Sequence, residues 1–351
     1  SDPVGRRFST ARRTGGQRPM TATRRLALLT AGSQAVLVVA PFVGVETLPL
    51  EVVRNPRGTD AASVILWHLR LPRVLAAFLS GAGLAICGAA FQALFRNPLA
   101  TPFTLGVASG AAFGVALASR LGIGVALAGV GVHSVAALAG ALLAVAVVWG
   151  LTHLRPAFST MVLLLAGVAM SFFFSSLILF LQYTASLGDA YRIVRWLMGG
   201  LASVDWRGLL RMVPFVAVGF VALGWRAREL DLLSVGSDIA ASRGVDVLAA
   251  RRWIFLATSV MVGGIVATCG PIGFVGLMAP HICRLLVGAE HRLLLPASCL
   301  FGGAFLALCD AAARTVLAPV ELPVGVITAF LGGPFFLWLL LRRVASRDVV
   351  G

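Results

Sequence analysis

The sequence predicts an all-α fold: a polytopic membrane protein of about ten transmembrane helices. Three observations carry that prediction. Hydrophobic residues make up 59% of the 351 and charged residues only 12%, about half the charge of a typical soluble domain. Mean hydropathy is +0.94. Runs of roughly 20 mainly apolar residues recur along the chain, the length a helix needs to cross a ~30 Å hydrocarbon core.

Residues 1–25 lack apolar periodicity and are rich in Arg, Gly, Ser and Thr, which predicts a flexible basic tail. Met20-Thr-Ala-Thr-Arg-Arg before the first apolar run reads as a native start, with 1–19 partly vector-derived or an alternative upstream start. A cleaved signal peptide is disfavoured, because no small-residue cleavage site precedes Glu46. The membrane domain then covers 26–343. Its apolar segments fall at 26–45, 72–93, 100–119, 126–150, 160–182, 209–224, 253–270, 272–288, 295–316 and 323–341. Only Gly270-Pro271 separates the seventh from the eighth. Residues 344–351 form a short tail, and an even number of spans puts both termini on one side.

Every basic side chain is arginine: the 29 Lys+Arg contain no lysine, and the formal net charge is +15. Nucleic acid is not the expected partner, since no soluble basic-aromatic module exists to hold it. Topology accounts for the charge instead. With the N-terminus cytoplasmic, the tail arginines, Arg96, Arg155, the 225–253 arginines, Arg284, Arg292, Arg342, Arg343 and Arg347 lie inside. That bias follows the positive-inside rule and predicts a bacterial inner-membrane protein with both ends in the cytoplasm. The outside segments still hold more arginine than the rule favours, including Arg70, Arg73 and Arg314.

Residues Trp225–Trp253 are a polar island between apolar stretches. Acidic Glu229, Asp231, Asp238 and Asp246 and several arginines flank a small-residue core from Ser234 to Gly244. Asp238 to Arg243 is helix-compatible, with Gly236 and Gly244 where a short helix would start and stop. Small residues let another protein approach closely, so this stretch reads as a docking surface. The alternative is a solvated charged loop.

Three further segments stand out. Leu69–Gly110 carries glycines and alanines suited to close helix packing, then a turn at Arg96-Asn97-Pro98-Leu99. Gly270–His281 repeats glycine and proline at membrane depth, which is tolerated where broken helices line a protected path. Asp310–Gly325 reads as an outside loop with Arg314 and Glu321. The five cysteines and five histidines show no metal-ligand spacing, so buried thiols and no metal site are expected. No residue pattern suggests catalysis. GxxxxGK[ST] cannot occur without lysine, so the chain holds no Walker-type ATP site.

Taken together, these residues resemble the FecCD-type permeases of ABC importers for iron chelates and cobalamin. The resemblance runs from Leu69-Arg-Leu-Pro-Arg73 through Gln92-Ala-Leu-Phe-Arg-Asn-Pro-Leu-Ala100, Leu105–Gly110, Ser159-Thr160, Leu163–Gly167, Trp196–Gly200 and Val204-Asp-Trp206. It continues with Gly270–Leu277, Pro280-His281, Arg284, His291-Arg292, Leu295-Pro296, Asp310, Arg314 and Glu321–Gly325. It implies a type II importer permease in which a second copy completes the path and two ATPase subunits carry ATP and Mg. A periplasmic binding protein delivers the cargo, and no cofactor is held permanently. The 229–250 loop matches the coupling helices, with Ser234, Gly236, Ala240, Arg243 and Gly244 at the ATPase contact. Arg70, Arg73 and Arg314 match arginines that receive acidic residues of the binding protein. Asn97, Leu99 and Thr160 match the cytoplasmic gate, where Met161 departs from the small polar residue of many relatives.

The resemblance leaves haem, ferric siderophores and cobalamin open as cargo. Met161 and the run Ser171-Phe172-Phe173-Phe174-Ser175 favour a large, flat, apolar iron complex such as haem, although such a run also suits lipid contact. An ion-gradient transporter is the rival from another class. It would use a membrane-embedded carboxylate, for which Asp310 is the nearest candidate.

Overall fold

The computed structural model describes residues 22–348 apart from 102, 104, 105, 124–131 and 155–159. The side chains of 149, 151–154, 160, 161, 163, 340 and 342–348 also lie outside the described residues, as does most of the expected N-terminal tail. Among the described residues every regular element is helical.

Helix α1 (Ala22–Val39) passes through a 3-10 turn, Ala40–Phe42, into a more polar segment. Asp60 caps the short α2 (Ala61–Val64) by accepting from the Ser63 amide, and a π turn at Ile65–Arg70 runs into α3 (Leu71–Phe95). The π turn lies just before Pro72, which lacks an amide donor and crowds the carbonyl four residues back. There follow α4 (Val107–Arg120), α5 (Val132–Leu154), α6 (Thr160–Tyr183), α7 (Leu187–Leu197) and α8 (Trp206–Trp225). The chain continues as α9 (Ala227–Val235), α10 (Ser237–Ser242), α11 (Val247–Cys269), α12 (Val275–Val287), α13 (His291–Thr315) and α14 (Val324–Asp348).

Six of these stretches are long and apolar enough to cross a membrane: Ala22–Phe42, Ala61–Phe95, Leu164–Tyr183, Trp206–Trp225, Val247–Cys269 and His291–Thr315. Four shorter apolar helices occupy Val107–Arg120, Val132–Val148, Val275–Val287 and Val324–Leu339. Each of the ten expected segments overlaps one of these helices. Helix α13 ends at Thr315, within the expected span 295–316, so Asp310 and Arg314 sit one helical turn apart inside it and the outside loop begins only after them. Helix α14 continues to Asp348, through residues expected as a tail.

Helix α3 is the centre of the bundle, buried along nearly its whole length and packed by α8, α11, α12 and α13. Its glycines explain the close approach. A Cβ at Gly81 would fall on the Gly302 carbonyl oxygen of α13, and one at Gly88 on the Gly276 carbonyl oxygen of α12. With lipid as solvent, such close packing replaces the hydrophobic drive that joins helices in water.

Contacts sort the turns onto two opposite faces. On one face Arg25 Nη1 donates to the Leu286 carbonyl at 2.5 Å, and the island meets the start of α13. On the other, Trp206 Nε1 donates to the Trp67 carbonyl at 2.8 Å. There the Gly200 amide also donates to the Cys269 carbonyl at 2.8 Å, and the Gly325 amide to the Gly199 carbonyl at 3.4 Å. The expected break at Gly270-Pro271 belongs to this second face: Gly270 (φ +69) ends α11, and Phe274 (φ +66) opens α12 in the left-handed region that non-glycine residues seldom enter.

Candidate functional site

The island folds into two short helices rather than a loop. Helix α9 buries Ala227, Leu230 and Leu233, spaced three apart on one face, in the core. Extended backbone at Gly236 then leads into α10. The stop has a clear cause. Gly244 takes φ +83, its amide donates to the Ala241 carbonyl at 3.0 Å, and the Val245 amide reaches the Ala240 carbonyl at 3.0 Å. This paired closure satisfies carbonyls the helix end would otherwise leave open, and a left-handed glycine permits it. Asp246 begins α11 by accepting from the Ala249 amide at 3.0 Å, and Arg251 Nη2 reaches Ser237 Oγ at 3.1 Å.

Of the expected contact residues, Ser234, Arg243 and Gly244 are exposed. Gly236 is buried, though a side chain there would meet only Ile239 Cδ1, at 4.0 Å. Ala240 requires a correction: its side chain is fully buried in the core, because the short helix must anchor one face. The outward face of α10 is instead Asp238, Ile239, Ala241 and Ser242, with Ile239 46% exposed.

A clasp ties the island to the bundle. Asp231 Oδ1 accepts from the His291 backbone amide at 2.9 Å and lies 2.6 Å from His291 Nδ1. Glu290, at the cap position of α13, makes no side-chain cap bond, so Asp231 does that work from another element. Partial burial pushes the Asp231 carboxyl up, but the His291 hydrogen bonds outweigh it and hold the group below the usual carboxylate range. Sequence reading missed this pairing; nothing local links positions 60 residues apart.

On the opposite face Arg70, Arg73 and Arg314 do come together, but turned inward. They are 8%, 8% and 4% exposed. Arg70 donates to the carbonyls of Pro41, Phe42 and Glu46, the last at 2.7 Å. Arg314 donates to the carbonyls of Val43 (2.9 Å) and Ala40 (3.2 Å). Its Nε lies 3.1 Å from Asp310 Oδ2, with its N–H aimed at the Asp310 backbone carbonyl (3.4 Å). Arg73 joins two carboxylates, Asp310 through Nε at 2.9 Å and Glu321 through Nη1 at 2.8 Å. A freely exposed basic patch is therefore not what this face presents. A cavity of about 510 Å³ lies beside the cluster, lined among others by His68, Asp205 and the three arginines.

At the expected gate, Arg96 (φ +49) closes α3 in the left-handed region. Asn97 Oδ1 then accepts from the Leu99 amide at 2.9 Å, and Leu99 is 41% exposed. Thr160 and Met161 open α6, with side chains outside the described residues. In the phenylalanine run, Phe172 and Phe173 are exposed, while Phe174 is buried beside Phe113.

The profile of the FecCD transport family matches residues 32–342. The chain belongs to the FecCD transport family. It is 42% identical over 283 residues to an uncharacterised ABC transporter permease protein, YvrB, of Bacillus subtilis (strain 168), covering 80% of this chain and 79% of that protein. It is also 42% identical over 292 residues to the vitamin B12 import system permease protein BtuC of Escherichia coli O6:H1, covering 82% and 86%. Among solved structures it is similar to a metal-chelate type ABC transporter in an inward-facing conformation. There the TM-score is 0.82 and the identity 32%, over 91% of this chain and 99% of that one. As an ABC importer permease of this family, the chain is a membrane protein that works with an ATPase and a binding protein. The carboxylate that the ion-gradient alternative needed, Asp310, is fully buried and held by Arg73 and Arg314.

Proposed function

We propose that this FecCD permease moves a large metal chelate from periplasm to cytoplasm across the bacterial inner membrane by alternating access. The family match over residues 32–342 carries the reading. Two copies enclose the path, and two separate ATPase subunits bind ATP and Mg; the permease contributes no catalytic residue and no permanent cofactor. The island face is cytoplasmic, as its arginine content favours. The exposed side of α10, with Ser234, Arg243 and Gly244, receives the ATPase, while Gly236 and Ala240 set the helix in place. Asn97, Leu99 and Thr160 form the inner gate beside Met161. A periplasmic binding protein docks on the face holding Arg70, Arg73 and Arg314.

Iron complexes, haem or ferric siderophores, are the cargo that Met161 and the exposed Phe172 and Phe173 favour. Cobalamin is the second reading, supported by 42% identity to proteins named for vitamin B12 import. Uptake into proteoliposomes holding permease, ATPase and binding protein separates them. Haem, a ferric siderophore and cobalamin are offered in turn, and only the true cargo accumulates with ATP. The permease alone hydrolyses no ATP. Uptake that persists without the ATPase subunits rejects the proposal.

A further inference from the structure

The three docking arginines differ in what holds them. Arg70 and Arg314 are spent on backbone carbonyls between Ala40 and Glu46, which cannot leave without moving the chain. Arg73 alone has an exchangeable partner. Its inner carboxylate, Asp310, is enclosed, with no side-chain exposure. Its outer one, Glu321, belongs to the short connection between α13 and α14, and its side chain is 44% exposed. The inner pair cannot be broken cheaply, because that would strand buried charge. Glu321 keeps access to water, so leaving Arg73 costs it far less than it would cost Asp310, and another carboxylate can take its place.

We propose that Glu321 is an internal stand-in for a partner's carboxylate: it covers Arg73 in the undocked permease, and an acidic side chain of the binding protein displaces it. The inference rests on the docking role proposed above for this face, and it explains why an arginine suited to docking is only 8% exposed. Room for the incoming group exists in the cavity beside the cluster, which Arg73 and Glu321 both line. With Glu321 displaced, Arg73 keeps Asp310 alone as an ion-pair partner, so the site gains net positive charge as the acidic partner arrives. Glu321 lies four residues before Gly325, which packs on the turn after α7. Displacement therefore acts on the root of α14.

The test uses the assembled permease–ATPase complex in nanodiscs with its cognate binding protein. Glu321→Gln strengthens docking by roughly three- to fivefold at low salt, the scale of one exposed ion pair, and the gain shrinks as salt rises. Glu321→Ala does the same and covers the case in which the glutamine amide still bonds Arg73. Arg73→Ala weakens docking. A second readout needs no partner: phenylglyoxal, which modifies free guanidiniums, labels Arg73 slowly in the parent complex and faster in both Glu321 variants. If Arg73→Ala weakens docking while neither Glu321 variant strengthens it or unmasks Arg73, the stand-in is wrong and the docking face stands. If Arg73→Ala leaves docking unchanged, the docking face fails and the stand-in with it.

Discussion

Asp310 has no exposed surface and is enclosed by Arg73 and Arg314. Removing it leaves two guanidiniums buried with one carboxylate fewer, the situation that makes breaking a buried ion pair costly. Asp310→Ala is expected to destabilise the permease by about 3–5 kcal/mol, read as a loss of thermal stability in nanodiscs. Asp310→Asn, which keeps the shape and one acceptor, costs less. That these arginines belong together was legible in the sequence from the motifs around Leu69–Arg73 and Asp310–Gly325. Their inward orientation was not. It depends on carbonyls of the segment after α1, which carry no side-chain signature.

At the scale of elements, α10 was legible almost to the residue, because Gly236 and Gly244 mark its ends and a left-handed glycine is what its closing turn requires. The buried side of α10 was not legible. Six residues, most of them small, give too little periodicity to show that Ala240 points inward. Helix α7 escaped the count of spans because it is short and amphipathic. In the structure Ser186 caps its start, its hydroxyl accepting from the Asp189 amide at 3.2 Å. The Asp231–His291 clasp joins the island to α13 and has a pH signature. The folded Asp231 carboxyl lies below its ordinary value, so the clasp is fully formed above about pH 4 and is lost as pH falls through the folded value. Hydrogen exchange at the His291 amide should lose protection over that acid range and should be unprotected at neutral pH in Asp231→Ala. Protection unchanged by both would show that Asp231 does not hold this amide.

Over the whole molecule, one face carries the island and the Asn97 turn, the other carries the arginine cluster and the converging turns at Gly199, Gly270 and Gly325. Helices α3 and α13 run between the two faces and pack on each other through Gly81 and Gly302. Helix α13 begins at the Asp231 clasp and carries Arg314 in its last turn, so one helix spans from the island to the arginine face. The all-helical architecture was legible because apolar runs of membrane length dominate the chain. The pairing of helices was not, since it rests on glycine-to-carbonyl contacts among residues far apart in sequence. We propose that the exposed face of α10 delivers the ATPase's movement to the bundle. Its most direct test is cargo uptake per ATP hydrolysed in proteoliposomes carrying Ile239→Asp, a change at an exposed position that leaves the buried Ala240 anchor intact. A folded, assembled membrane domain is expected, with uptake per ATP reduced at least about tenfold. Uptake per ATP equal to that of the parent would contradict the proposal.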